Sequence, residues 1–328
     1  MTKIQNSKRK LKGLEFGTLN LFRFSGLGFR VLILCILIFA FFIFNKADAA
    51  ILYLDPASGE HSEGDTFIIN IRLDPEKECI NAVQVELEFT KDVLEVKDVS
   101  KGSSIISFWV KGPEFSNEMG FISFTGGIPG GFCGILPGDP GKSNLLGKII
   151  FKVVGESFSD NAKIEFLDTS QVLLNDGLGT PALLSTRGSI VKITGVEPRQ
   201  IPRDEWQEEL EKDKTPPEPF EIEINQEPSI FDGKYFIIFN TADKQTGIDY
   251  YEVKEGKGEW RKAVSPYLLE DQSLEGIIKV RAVDKAGNER IAEYEPANVF
   301  LYWIIILILI LIGAGIIWWT IRKLKMRS

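Results

Sequence analysis

Two glutamates two positions apart, Glu86 and Glu88 in INAVQVELEF (residues 80–89), have a spacing that could do chemistry. On a strand they would stand about 7 Å apart on one face, a separation at which an acid and a base can flank a glycosidic bond. That role requires burial or apolar walls to raise one of the two pKa values. The neighbours argue otherwise. Val83, Val85, Leu87 and Phe89 alternate with Gln84, Glu86 and Glu88, so the acids fall on the outward face of a half-buried strand. Glu86 and Glu88 are therefore read as candidates for a ligand-facing surface and not as catalysts.

Other chemistry is thin. The single histidine, His61, sits beside Glu60 and Ser62-Glu63 and reads as a solvated turn residue, with no second histidine or cysteine pair to complete a zinc site. No G-x-S-x-G elbow supports a serine nucleophile. The glycines of 125–144 miss the phosphate-loop spacing, because Leu136 stands where the motif ending in Gly141-Lys142-Ser143 would need a glycine. Asp74-Pro75-Glu76 and Asn175-Asp176-Gly177 offer oxygens but match no calcium loop, and structural turns are expected there. No cofactor, metal or catalytic residue is assigned, and the chain is read as a non-enzyme.

Cys79 and Cys133 suggest one disulfide in an oxidising compartment, with buried free thiols as the alternative. Most of the aromatic residues should fill a core. Trp109 and Phe132 are the expected exceptions, available to a ligand.

The elements that must position these residues are strands. Ten short runs between residues 51 and 193 alternate or carry β-branched residues, with turn residues between them, and predict a β-sandwich or jelly roll. Residues 125–144 hold seven glycines and three prolines, too many for an extended ladder, and read as a long loop. Residues 196–219 turn to charge and proline, with a short helix near Asp204 to Leu210, and read as a linker. A smaller β unit follows over 220–297. Its last two strands form a hairpin through Asp284-Lys285-Ala286-Gly287-Asn288, where Gly287 supplies a positive φ.

Both ends differ from this. Residues 1–30 are basic and precede the uncharged run 31–44, short for a bilayer span. With Ala47-Asp48-Ala49 behind it, 1–49 reads as a signal peptide, or else as an uncleaved anchor. Residues 299–321 are 23 uncharged residues with tyrosine and tryptophan at their ends and the basic tail 322–328 behind. They are expected to form a transmembrane helix with the tail in the cytoplasm and the β units outside the cell. Residues 50–298 carry 26 basic against 44 acidic residues, an excess that argues against nucleic acid and anionic lipid as partners.

The blocks Gly64 to Ile71, INAVQVELEF followed by VLEV, GFISFTG (120–126), LLGKIIFKV (145–153) and SQVLLNDGLG (170–179), in that order, resemble the cohesin family. The resemblance covers residues 51–193, places a cohesin-like domain at 50–195, and implies a jelly-roll sandwich, related to certain carbohydrate-binding modules, that binds a protein partner of the dockerin kind through one face. Binding to polysaccharide is the alternative. TADKQTGIDYYEV and VRAVDKAGN resemble immunoglobulin-like repeats of bacterial surface proteins, which implies a spacer over 220–297. The expectation is an all-β chain, a cohesin-like sandwich plus an immunoglobulin-like one, acting as a membrane-anchored surface protein that binds and does not catalyse.

Overall fold

The computed structural model describes residues 49–134, 144–155, 161–194, 201–296 and 299–325. The signal segment, apart from Ala49, and residues 135–143 of the long loop lie outside the described residues.

The first sandwich runs through β1 (Ala50–Asp55), β2 (Ser58–Ser62), β3 (Thr66–Asp74), β4 (Ile80–Phe89), β5 (Leu94–Ser100) and β6 (Phe108–Ser116). It continues with β7 (Phe121–Phe132), β8 (Leu145–Val153), β9 (Ala162–Phe166), β10 (Gln171–Leu174), β11 (Leu184–Arg187) and β12 (Ser189–Thr194). One sheet has the order β11-β1-β3-β8-β5. The other has the order β2-β12-β9-β4-β7-β6, with β10 also paired to β4. The period-two pattern decides which residues face inward: Phe67, Ile69 and Ile71 from one sheet meet Val83, Val85 and Leu87 from the other in a single core. Each such side chain contributes about 1.5–3 kcal/mol by leaving water.

The chain passes from the five-stranded to the seven-stranded sheet near both ends of the sandwich, between β1 and β2 and between β11 and β12. At both changes it runs beside itself, since β1 pairs β11 in parallel and β2 pairs β12 in parallel. The crossing points are tied: Ser189 Oγ donates to the Pro56 carbonyl at 2.8 Å, and Ile190 N–H donates to the Ala57 carbonyl at 3.1 Å. Neither β2 (SGEHS) nor β11 (LSTR) has the apolar alternation that marks the other strands, and long-range pairing alone holds them extended. The loop expected over 125–144 needs correction in its first half. β7 continues to Phe132 and stays paired to β4 as far as Ile80, because Gly126 and Gly127 let β6 lie close against it.

Helix α1 (Glu205–Lys212) follows, capped by the Asp204 carboxylate, which accepts the Gln207 N–H at 2.9 Å. It lies against the first sandwich. Thr66 N–H donates to the Arg203 carbonyl at 2.8 Å, Ile68 N–H to Glu205 Oε2 at 3.2 Å, and Lys148 pairs with Glu209 at 2.6 Å.

The second unit holds β13 (Glu223–Glu227), β14 (Ile230–Ile238), β15 (Ile248–Glu255), β16 (Arg261–Ala263), β17 (Tyr267–Leu268), β18 (Ile278–Asp284) and β19 (Glu289–Tyr294). A three-stranded sheet, β13-β14-β17, faces a four-stranded one, β16-β15-β18-β19, over Ile237, Phe239, Val253, Leu269, Ile278 and Val280. The β18–β19 hairpin turns at Gly287, with φ +86. The loop 243–247 between β14 and β15 meets the turn after β5: Ser100 Oγ donates to the Thr246 carbonyl at 2.6 Å, Ser103 N–H donates to the Asp243 carbonyl at 3.3 Å, and Lys285 pairs with Asp98.

The backbone of Val299–Lys325 is helical (α2). Among the described residues no helix is long and apolar enough to cross a membrane. The single-pass membrane placement expected from residues 299–321 is corrected accordingly.

Candidate functional site

Glu86 and Glu88 lie on the outer face of the seven-stranded sheet, opposite Ser123 and Phe121 of β7. They have different surroundings. Glu86 is half-buried and held by its neighbours, accepting from Gln84 Nε2 at 3.0 Å and from Thr169 Oγ1 at 2.6 Å, so it ties β4 to the turn before β10. Glu88 is exposed and stands directly across from Glu165 of β9, a like-charged pair. Among the described residues neither Glu88 nor Glu165 has an ionic partner. Lys111 and Glu114 pair with each other on the same sheet at 2.8 Å, as do Lys192 and Glu60 at 2.6 Å.

Trp109 is partly buried on β6, edge-on to Phe124 with ring centroids 5.6 Å apart, and Lys101 Nζ lies 5.0 Å from its ring. It lines a cleft of about 860 Å³ with Phe108, Tyr250, Tyr251 and Tyr267, so the first and second sandwiches both contribute to its walls. Lys262 Nζ lies 4.5 Å from the Tyr250 ring, a second cation over an aromatic wall of the cleft. Phe132 corrects the sequence reading. At 0% exposure it is wholly inside the first core, where the end of β7 pairs with Ile80, and it cannot meet a ligand; Phe108 of β6, at 61%, can.

Cys79 and Cys133 are joined as a disulfide, which closes the end of β7 onto the start of β4. His61 is no solvated turn residue. It belongs to β2 and stacks on Phe67 with centroids 4.0 Å apart. Burial lowers its pKa, against the opposing pull of Glu205 and Asp65, and Arg203 lowers it further. The two acidic turns serve themselves: Asp74 Oδ1 accepts from Glu76 N–H at 2.9 Å and Asp176 Oδ1 from Leu178 N–H at 2.8 Å.

A different cluster of acids emerges. Asp213 at the end of α1, Asp243 in the loop before β15 and Asp284 at the end of β18 are 1%, 4% and 1% exposed, and each places a carboxylate oxygen within 4.8 Å of the other two. Asp213 Oδ2 accepts from Thr246 Oγ1 at 2.6 Å, and its Oδ1 from Thr215 N–H at 3.0 Å. Asp243 Oδ1 accepts from Gln245 N–H at 2.9 Å and Gly247 N–H at 2.8 Å, while Asp284 accepts from Asn288 N–H at 2.8 Å and Asn288 Nδ2 at 2.9 Å. Asp243 Oδ2 is buried with no hydrogen-bond partner. Burial raises the Asp284 pKa, its hydrogen bonds with Asn288 oppose that, and the charges of Asp213 and Asp243 raise it further. Long separations hide this set in the sequence. The available signal is an Asp-Lys pair repeated at three turns, DKT, DKQTG and DKAGN.

No family model matches the chain, and no curated protein matches it. Similar solved structures are cohesin domains and cohesin complexes. A type I cohesin–dockerin complex from Clostridium thermocellum shares 17% identity, over 46% of this chain and 98% of that one, with a TM-score of 0.35. The sixth cohesin of scaffoldin B from Acetivibrio cellulolyticus, in complex with a dockerin, shares 13% over 45% and 100%, with a TM-score of 0.36. A non-cellulosomal cohesin from the archaeon Archaeoglobus fulgidus shares 15% over 45% and 92%, with a TM-score of 0.35. These cohesins are of the family that the sequence blocks resemble, and two of them are complexes with dockerins.

Proposed function

We propose that the chain is a non-catalytic binding protein whose cohesin-like sandwich takes a protein partner, dockerin-like in kind, on the outer face of the seven-stranded sheet. The observation that carries this is the Glu88–Glu165 pair. Like charges placed directly opposite on neighbouring strands cost the sheet some tenths of a kcal/mol, and no described side chain offsets them. A partner presenting lysine or arginine to that spot would be steered and held there. The exposed Phe108 and Val110 on β6 of the same sheet add apolar area. The second sandwich and α1, docked by the contacts above, act in this reading as a support for the first.

Polysaccharide binding is the second reading, favoured by one observation, the aromatic cleft beside Trp109. Lysines over the Trp109 and Tyr250 rings place it second, because sugar stacking needs a free ring face.

Binding of the full chain to secreted proteins of its source cells and to a polysaccharide panel separates the two. The protein reading expects capture of a discrete partner that is lost in E88K/E165K and kept in W109A. Loss in W109A alone, with binding to the panel, would replace it with the glycan reading. Release of sugar from the panel would overturn the non-catalytic assignment.

A further inference from the structure

From Asp213, Asp243 and Asp284 we infer a divalent-cation site, Ca²⁺ by its chemistry, that fastens helix α1 and the second sandwich to the first. Three carboxylates come together from three separate segments, each almost wholly out of water. Among the described residues no lysine, arginine or histidine pairs with any of them. Lys285, next in sequence to Asp284, is turned to Asp98, and Lys244, next to Asp243, to Glu218. Buried like charges without a counter-ion are unfavourable, so the cluster needs either a shared proton or a cation.

The unpartnered Asp243 Oδ2 points to the cation. Every other carboxylate contact described in the cluster is satisfied by backbone N–H groups, the Thr246 hydroxyl or the Asn288 amide. This one oxygen is buried with nothing to accept from. The ligand set is oxygen only, which suits a hard cation and not zinc or copper. Ligand atoms within 4.8 Å of one another fit a Ca²⁺ shell, where two oxygens at about 2.4 Å on opposite sides of the ion lie about 4.8 Å apart.

The position gives the site a consequence. Asp213 ends α1, which lies on the first sandwich. Asp243 begins the loop that meets Ser100 and Ser103, and Asp284 opens the turn whose Lys285 reaches Asp98. A cation joining the three carboxylates fixes all three docking contacts at once.

The test is calcium titration of the full chain, by calorimetry and by thermal denaturation, in EDTA and in millimolar CaCl₂, with MgCl₂ for comparison. The expected result is binding of one Ca²⁺ and a Tm rise of at least about 3 °C at a hundredfold excess over Kd. In D243N, whose amide keeps the shape and the Oδ1 contacts, the calcium response is lost while Tm in EDTA rises above that of the wild type, because one buried charge is gone. A purely structural aspartate would lower that value. If D243N does not fold, D284N is read by its calcium response alone, since both Asp284 oxygens accept from Asn288 and its Tm in EDTA is no guide. No calcium response in the wild type, or an equal response in the variants, overturns the site.

Discussion

Gly102 and Gly247 meet backbone to backbone: a Cβ on Gly102 would lie 2.8 Å from the Gly247 nitrogen and 2.3 Å from the Gln245 carbonyl oxygen. The turn after β5 and the loop before β15 therefore approach as closely as they do because both lack side chains at this point. G102A should separate them. The expected loss is about 1–3 kcal/mol of docking, seen as a lower Tm and faster protease cleavage around Pro216-Pro219. An unchanged Tm and cleavage rate would show that the contact does not hold the two sandwiches.

His61 makes the fold sensitive to acid. Its folded pKa is lowered from 6.5 by burial against Phe67, with Arg203 adding to that and Glu205 and Asp65 opposing it. The unfolded chain therefore binds the proton first. The contribution is intact above about pH 6.5 and is lost as pH falls through the folded value. H61F keeps the stack and removes the proton. Urea midpoints at pH 7.5 and pH 5 should differ less in H61F than in the wild type, and an equal difference would rule His61 out as the source.

Cys79 and Cys133 close a loop with a sequence separation of 54. Replacing both by serine should cost roughly 4 kcal/mol on the chain-entropy view, read from denaturant midpoints with and without reductant. The double variant should no longer respond to the reductant.

Phe132 is a core residue, so F132A should cost about 3–5 kcal/mol. F108A, on the exposed edge strand β6, should leave stability within about 0.5 kcal/mol of wild type. A binding loss in F132A beyond its loss of folded protein would contradict its burial.

Much of the β architecture was legible because burial imposes period two: INAVQVELEF, TFIINIRLD and IKVRAVD announce their faces residue by residue. β2 and β11 were illegible for the opposite reason, since their pairing partners lie more than a hundred residues away and their own side chains carry no pattern. β7 was cut short by its glycines, which signal a turn locally but here allow β6 to pack close. Phe132 misled because a loop composition surrounds it, while the pairing to Ile80 takes it inside. The three aspartates depend on tertiary folding alone: each looks like an ordinary turn residue, and only the docking of α1 and two loops gathers them.

The parallel pairing at the ends of the first sandwich bears on how it carries load. Because β2 and β12 run in the same direction, tension drawing the chain before β1 away from the chain after β12 slides the two strands past each other along their length. The five matched residue pairs from Ser58↔Ile190 to Ser62↔Thr194 then resist together, where an antiparallel pair pulled at one end would open a rung at a time.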